Sequence, residues 1–233
     1  MNIVDYMKAG SRVSTARRTD SRRTYDNSRR RADAEARQRG IVGAATALFV
    51  EQGFGGTSID QIADAADVSA QTVYAIFGSK AAVLSRAIDV AVVGDHEAVS
   101  LADRMPVLAD MSSKHHHMYF ATAARFVRAL HERVAPLMRV MLQAAATDPG
   151  LEELRMRLTR EIRADCEVWV AQLGRALRPG LTKAQAADVM VTIQSPYIYS
   201  MLTADLGWTP NQYERWLAHA LPHMLLRPDL LSE

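Results

Sequence analysis

The sequence predicts an all-α fold in two parts: three short helices joined by tight turns, then a bundle of longer ones. Apolar residues recur at spacings of three and four, as at Ile41, Ala44, Ala45, Leu48 and Phe49, the period of a helix with one buried face. Helix-start signals recur as well. Ser58 with Gln61, Thr182 with Gln185, and Thr209 with Gln212 all have capping-box spacing, in which each side chain satisfies the other residue's free backbone N–H. No segment alternates apolar and polar residues as a half-buried strand would.

Taken in order, the first amphipathic helix is expected to stop at Gly53. A second starts at Thr57 or Ser58 and turns Ile59, Ile62, Ala63 and Ala66 inward, with Asp67 and Val68 as a tight connection. Ser69 is a good N-cap for a third helix that ends at Gly78, and Ser79 caps a fourth running through Leu84 and Ile88 toward Val93. Helices are then expected near 113–131, 133–147 and 149–176, the last announced by Asp148 and Pro149 as N-cap and first residue. Two more follow, one from Thr182 to about Asp205 with a kink at Pro196, and one from Thr209. The expected domains are a basic, flexible arm over 1–31, the three-helix unit over 32–78 and the helical bundle over 79–233.

Composition narrows the function. Residues 1–31 carry nine Lys or Arg against three Asp, or +6, so the rest of a chain of net charge +2 carries −4. Positive charge gathered at one end is placed to meet a polyanion. The longest charge-free window, between Asp188 and Asp205, contains Gln194, Ser195, Pro196 and Ser200 and reads as buried helix rather than membrane span. A lone cysteine, Cys166, excludes an internal disulfide and fits a cytoplasmic location. Glycine-rich phosphate loops, nucleophile elbows and cysteine motifs are missing, so neither an enzyme nor a cofactor is expected. The consecutive His115, His116 and His117 point about 100° apart on a helix and cannot converge on one metal.

Two helices joined by a tight turn, the second short and polar on one side, offer a helix to the DNA major groove. With Val73 inward, Ile76 and Phe77 share its face, Gln71 and Ala75 point away, and Thr72 and Tyr74 flank. Gln71 is then placed to pair with an adenine edge and Ala75 to touch a thymine methyl, with Thr72 and Tyr74 on phosphates. Lys80 adds a positive charge in the first turn of the next helix. Arg29, Arg30 and Arg31, expected just before the first helix, suit an arm in the minor groove.

The segments Thr57-Ser58-Ile59-Asp60-Gln61-Ile62-Ala63 and Val68-Ser69-Ala70-Gln71-Thr72-Val73-Tyr74-Ala75-Ile76-Phe77-Gly78-Ser79-Lys80 resemble the signature of the tetracycline-repressor (TetR) family. The likeness covers roughly residues 33–90. It implies an N-terminal helix-turn-helix DNA-binding domain joined to a C-terminal helical ligand-binding and dimerisation bundle. It also implies DNA contacts at Thr57, Gln71, Thr72, Tyr74 and Lys80; Ser58, Ala70 and Ala75 beside them are further candidate DNA contacts. The partners it implies are a double-stranded, palindromic operator, a second copy of the chain and a small-molecule effector that releases the repressor. This chain departs from the pattern with alanines at 70 and 75, which thin the reading face, and with Ala81 where many relatives carry an acid.

In the C-terminal part, Tyr119, Phe126, Met138, Met141, Trp169 and Tyr197 are the candidate pocket residues, and Met201, Leu202, Trp216 and Leu217 the candidate dimer interface. The sequence alone leaves open two other readings: a non-specific architectural DNA-binding protein, and a regulator answering to a protein partner instead of a ligand.

Overall fold

A computed structural model describes residues 21–94 and 116–231. Among them the structure is helical, apart from an isolated antiparallel bridge between Leu177 and Leu226. The first helix, Ser21–Gly56 (α1), is followed by Ile59–Ala65 (α2), Ala70–Phe77 (α3) and Lys80–Val93 (α4). Then come His116–Ala145 (α5), Pro149–Leu173 (α6), Lys183–Ile193 (α7), the single turn Pro196–Ser200 (α8) and Pro210–Leu225 (α9). The chain divides into two compact units, the first ending at Asp89 and the second beginning at Val90. None of the described helices is long and apolar enough to cross a membrane.

Ile41, Val42, Ala45 and Phe49 of α1, Ile59, Ile62 and Ala63 of α2, Val73 of α3, and Val83, Leu84, Ala87 and Ile88 of α4 are the buried side chains of the first unit. The expected capping box of α2 is present: Gln61 N donates to Ser58 Oγ at 3.1 Å, and Ser58 N donates to Gln61 Oε1 at 2.7 Å. Gly53 breaks α1 where expected. It sits at φ 74°, a left-handed conformation that any residue with a Cβ would adopt only under strain. Gly78, at φ 78°, closes α3 by donating its N–H to Tyr74 O at 2.8 Å.

Four expectations need correction. Helix α1 begins at Ser21, so Arg29, Arg30 and Arg31 lie inside it and not on a flexible arm before it. Arginine and alanine are good helix formers and this stretch contains no proline, so the helix extends backward on its local propensity. The predicted helices at 113–131 and 133–147 are one helix, α5, which passes His131 and contains Pro136; long-range packing of α5 against α6, α8 and α9 carries it through the expected gap. The predicted helix from Thr182 to Asp205 ends at Ile193. Pro196 opens α8 as its first residue, capped by Ser195 Oγ accepting from Tyr197 N at 3.1 Å, so it starts a helix where a kink was expected. A π turn over Met201–Asp205 completes that segment.

The core of the second unit gathers Tyr119, Phe120, Ala124 and Ala135 of α5, Cys166, Val170 and Leu173 of α6, Ala186, Ala187 and Met190 of α7, and the inner face of α9. At its centre His131 is buried and hydrogen-bonded to Tyr213 Oη through Nδ1 at 3.2 Å. Tyr199 packs edge-on against Tyr213, ring centroids 4.9 Å apart. Near this pair, Glu214 receives Arg128 Nε at 2.6 Å, joining α9 to α5 at the surface.

Candidate nucleic-acid interface

Helix α3 is positioned from two sides. At its start, Ser69 Oγ accepts from Thr72 N at 3.2 Å and lies 2.9 Å from Thr72 Oγ1. Along its inner side, Val73 is fully buried among the apolar side chains of the first unit. Gln71 and Ala75 are exposed, and Tyr74 is 54% exposed; spaced at i, i+3 and i+4, they form a single outward stripe. Ala70 and Thr72 are half-buried at its edges. Ile76 departs from expectation: at 38% exposure it sits on the rim of the packed face, because this eight-residue helix is buried chiefly through Val73.

The connection between α2 and α3 is tight. Val68 N donates to Ala63 O at 3.0 Å, and Asp67 takes up a left-handed conformation at φ 52°, one that aspartate tolerates better than most residues. The result is a short helix held rigidly at an angle on a second, its outer stripe carrying an amide, a phenol and a methyl group. An amide can pair bidentately with adenine, and a methyl can contact thymine.

Two expected DNA contacts are placed elsewhere. Thr57 is 1% exposed and its Oγ1 donates to Gly53 O at 2.8 Å, so its side chain braces the end of α1 and is not available to a phosphate. Lys80 Nζ donates to Phe54 O and to Thr57 O, both at 2.7 Å, and lies 4.2 Å over the Phe54 ring. Its charge answers carbonyls at and just beyond the C-terminal end of α1, where a cation is stabilised. Ser58 is exposed, with its hydroxyl in the α2 capping box. Phe54, which supplies both a carbonyl and a ring to Lys80, went unnoticed in the sequence, because the two residues stand far apart along the chain and no local spacing links them.

In the second unit the six candidate pocket residues differ in burial and partners. Tyr119 and Trp169 pack with ring centroids 5.3 Å apart, and the Tyr119 hydroxyl is buried with no hydrogen-bond partner among the described residues. Tyr197 Oη is likewise buried and unpartnered. Phe126 is half-buried, while Met138 and Met141 are buried within α5. Of the expected interface residues, Met201 is 43% exposed, but Leu202 belongs to the core and Leu217 is fully buried in it. Trp216 packs on Trp208 and Tyr213 of its own chain, with centroids 6.2 and 5.9 Å away. Leu202 and Leu217 therefore support these helices from inside their own chain.

The first unit is a helix-turn-helix DNA-binding domain, and the chain is a DNA-binding transcriptional regulator. Residues 41–87 match the family model of bacterial regulatory proteins of the tetR family. It is 29% identical over 175 residues to the HTH-type transcriptional regulator YdeS of Bacillus subtilis (strain 168), itself uncharacterised, spanning 72% of this chain and 79% of YdeS. Its fold is similar to that of NalD, the secondary repressor of the MexAB-OprM multidrug efflux pump in Pseudomonas aeruginosa, with a TM-score of 0.65, 20% identity, and coverage of 84% of this chain and 99% of NalD. A transcriptional regulator from Rhodococcus sp. Rha1 is also similar, with a TM-score of 0.56, 19% identity, and coverage of 80% and 95%.

Proposed function

We propose that the chain is a cytoplasmic homodimeric repressor that binds a palindromic operator through α3 and leaves it when a small molecule enters the second unit. The observation that supports the effector reading is two buried hydroxyls in the second unit, Tyr119 Oη and Tyr197 Oη, without a hydrogen-bond partner among the described residues. A buried polar group left unsatisfied costs about 1–3 kcal/mol, and a ligand that hydrogen-bonds to it recovers that energy. Trp169 beside Tyr119 supplies a flat apolar wall, so a largely apolar effector with one or two polar groups fits best. A ligand that favours one dimer geometry over another changes the spacing of the two recognition helices, and with it the affinity for a palindrome.

Dimerisation is supported by the outer faces of α7 and α9. An open groove of about 270 Å³ runs between them, lined by Asp188, Val189, Thr192, Ile193 and Met224. Exposed Met224 adds apolar surface on α9, and exposed Met201 and Leu206 add more on the segment between α8 and α9. The repressor assignment follows the role of NalD, a repressor of similar fold. Roles for Gln71, Thr72, Tyr74 and Ala75 at DNA follow from their placement on or beside the outward stripe of α3.

The test combines light scattering with ligand screening. Native protein is expected to run as a dimer and Met201→Arg as a monomer. A compound that raises the thermal midpoint is expected to lower operator affinity, and to lose its effect with Tyr119→Phe together with Tyr197→Phe. A monomeric native protein, or a stabilising compound that leaves the DNA complex intact, contradicts the proposal.

A further inference from the structure

The helix-turn-helix of this chain lacks the positive charge that DNA binding requires. Residues 57–79 contain Asp60, Asp64 and Asp67 and no Lys, Arg or His. Across residues 40–89 the count is two basic residues, Lys80 and Arg86, against five acidic ones, a net −3. Lys80 is bound to the carbonyls of Phe54 and Thr57. Contacts between cations and phosphates nonetheless supply most of the affinity of proteins for duplex DNA. The charge must come from another part of the chain.

It stands on the backward extension of α1. The core side chains of this helix begin at Ile41, yet the helix starts at Ser21. Those twenty preceding residues span about 30 Å at 1.5 Å per residue, the length of roughly nine base pairs. Residues 21–39 hold seven arginines against three acids, a net +4. From Arg29 to Gly40 every residue is exposed except Gln38, which is half-buried. Arg31 pairs with Glu35 at 3.1 Å, with both side chains more than half exposed. Exposed pairs of this kind contribute about 0–1 kcal/mol and are readily exchanged for a phosphate.

We propose that this helical spur, through Arg29, Arg30 and Arg31, is the main phosphate-binding element of the protein and clamps duplex DNA flanking the site read by α3. The inference rests on the DNA-binding reading and adds where the affinity comes from. A lipid surface is the poorer fit, since the only apolar side chains between Arg29 and Gly40 are Ala32, Ala34 and Ala36, too small to bury in a membrane interface. A preformed helix also avoids the ordering entropy that a disordered arm would lose on binding.

The test uses the full chain, its triple variant Arg29→Gln, Arg30→Gln, Arg31→Gln, and the corresponding triple lysine variant. The probes are a selected binding duplex and the same duplex lengthened by ten base pairs at each end. Three consecutive positions fan around the helix, so about two of them reach phosphates together. The slope of log affinity against log salt is then expected to fall in magnitude by about 2 in the glutamine variant. Between 50 and 200 mM salt that variant would lose roughly tenfold less affinity than native protein. Lengthening the duplex is expected to tighten binding by the native and lysine proteins but not by the glutamine variant, whose thermal midpoint stays unchanged because Arg29, Arg30 and Arg31 are exposed. A glutamine variant that binds both duplexes with native affinity and slope overturns the spur while leaving the reading of α3 intact. Loss of preference for the selected sequence in Gln71→Ala, with the slope retained, tests that reading separately. Failure of native protein to bind either duplex overturns both.

Discussion

Lys80 meets Phe54 twice: its ammonium donates to the Phe54 carbonyl at 2.7 Å and lies 4.2 Å above the Phe54 ring. A residue in the first turn of α4 thus holds the end of α1 against the corner from which α2 begins. Hydrogen bonds to charged groups contribute about 1.5–3 kcal/mol, and Lys80 makes two of them to carbonyls while half-buried. Lys80→Met is expected to lower stability by about 2 kcal/mol after allowance for solvent. The salt slope of DNA binding is expected to stay native. A slope reduced by about 1 with unchanged stability would instead assign Lys80 to a phosphate.

Gln71 presents the one amide on the outward stripe of α3, and its side chain is exposed. Gln71→Ala is expected to leave the thermal midpoint within a degree or so of native. Discrimination against the wrong base should fall by about 1–3 kcal/mol, a factor of roughly ten to a hundred. Competition between selected and scrambled duplexes measures this; unchanged discrimination would place the reading elsewhere.

Tyr119 carries a hydroxyl that is buried and unpartnered, and burial holds its ionisation well above the usual phenol range. Tyr119→Phe removes a desolvated polar atom and is expected to stabilise the free protein by about 1 kcal/mol. Most substitutions in a packed core destabilise, which makes the sign of this change informative. Thermal unfolding decides it, and a lower midpoint would mean that the hydroxyl has a partner.

His131 is buried beside Tyr213 and Tyr199, and burial pulls its pKa down to about 3. The unfolded chain takes up a proton near pH 6.5 while the folded chain does not, so stability falls as pH drops below that value. The fall is about 1.4 kcal/mol per pH unit for this one group between pH 6 and pH 4. Stability is restored as pH rises through 6.5. Denaturant titrations across this window are expected to show a shallower dependence in His131→Gln. Equal slopes in the two proteins would show that other groups set the acid limit.

The start and end signals of most helices were legible because they are local. Ser58, Thr182 and Thr209 cap the helices they were expected to cap, and Gly53 and Gly78 stop theirs. The outward placement of Gln71 and Ala75 followed from helical periodicity once Val73 was fixed inward. Features set by distant partners were not legible. The continuity of α5 past His131 depends on α9, the role of Lys80 depends on Phe54, and the burial of Leu217 depends on the same core that buries Leu202. Pro196 is consistent with either a kink or a first turn, and Ser195 as its cap decides between them. The backward extension of α1 was hidden because its composition reads equally as a tail or as a helix.

The central claim is that this chain binds a defined DNA sequence as a symmetric pair. The most direct test is selection of bound sequences from randomised duplex DNA by the full-length protein at physiological salt, followed by competition with non-specific duplex. A palindromic motif bound at least ~10³-fold more tightly than non-specific DNA is the expected result. No enriched motif, with a specific-to-non-specific ratio near one, would contradict it and make the protein a sequence-independent binder of duplex DNA.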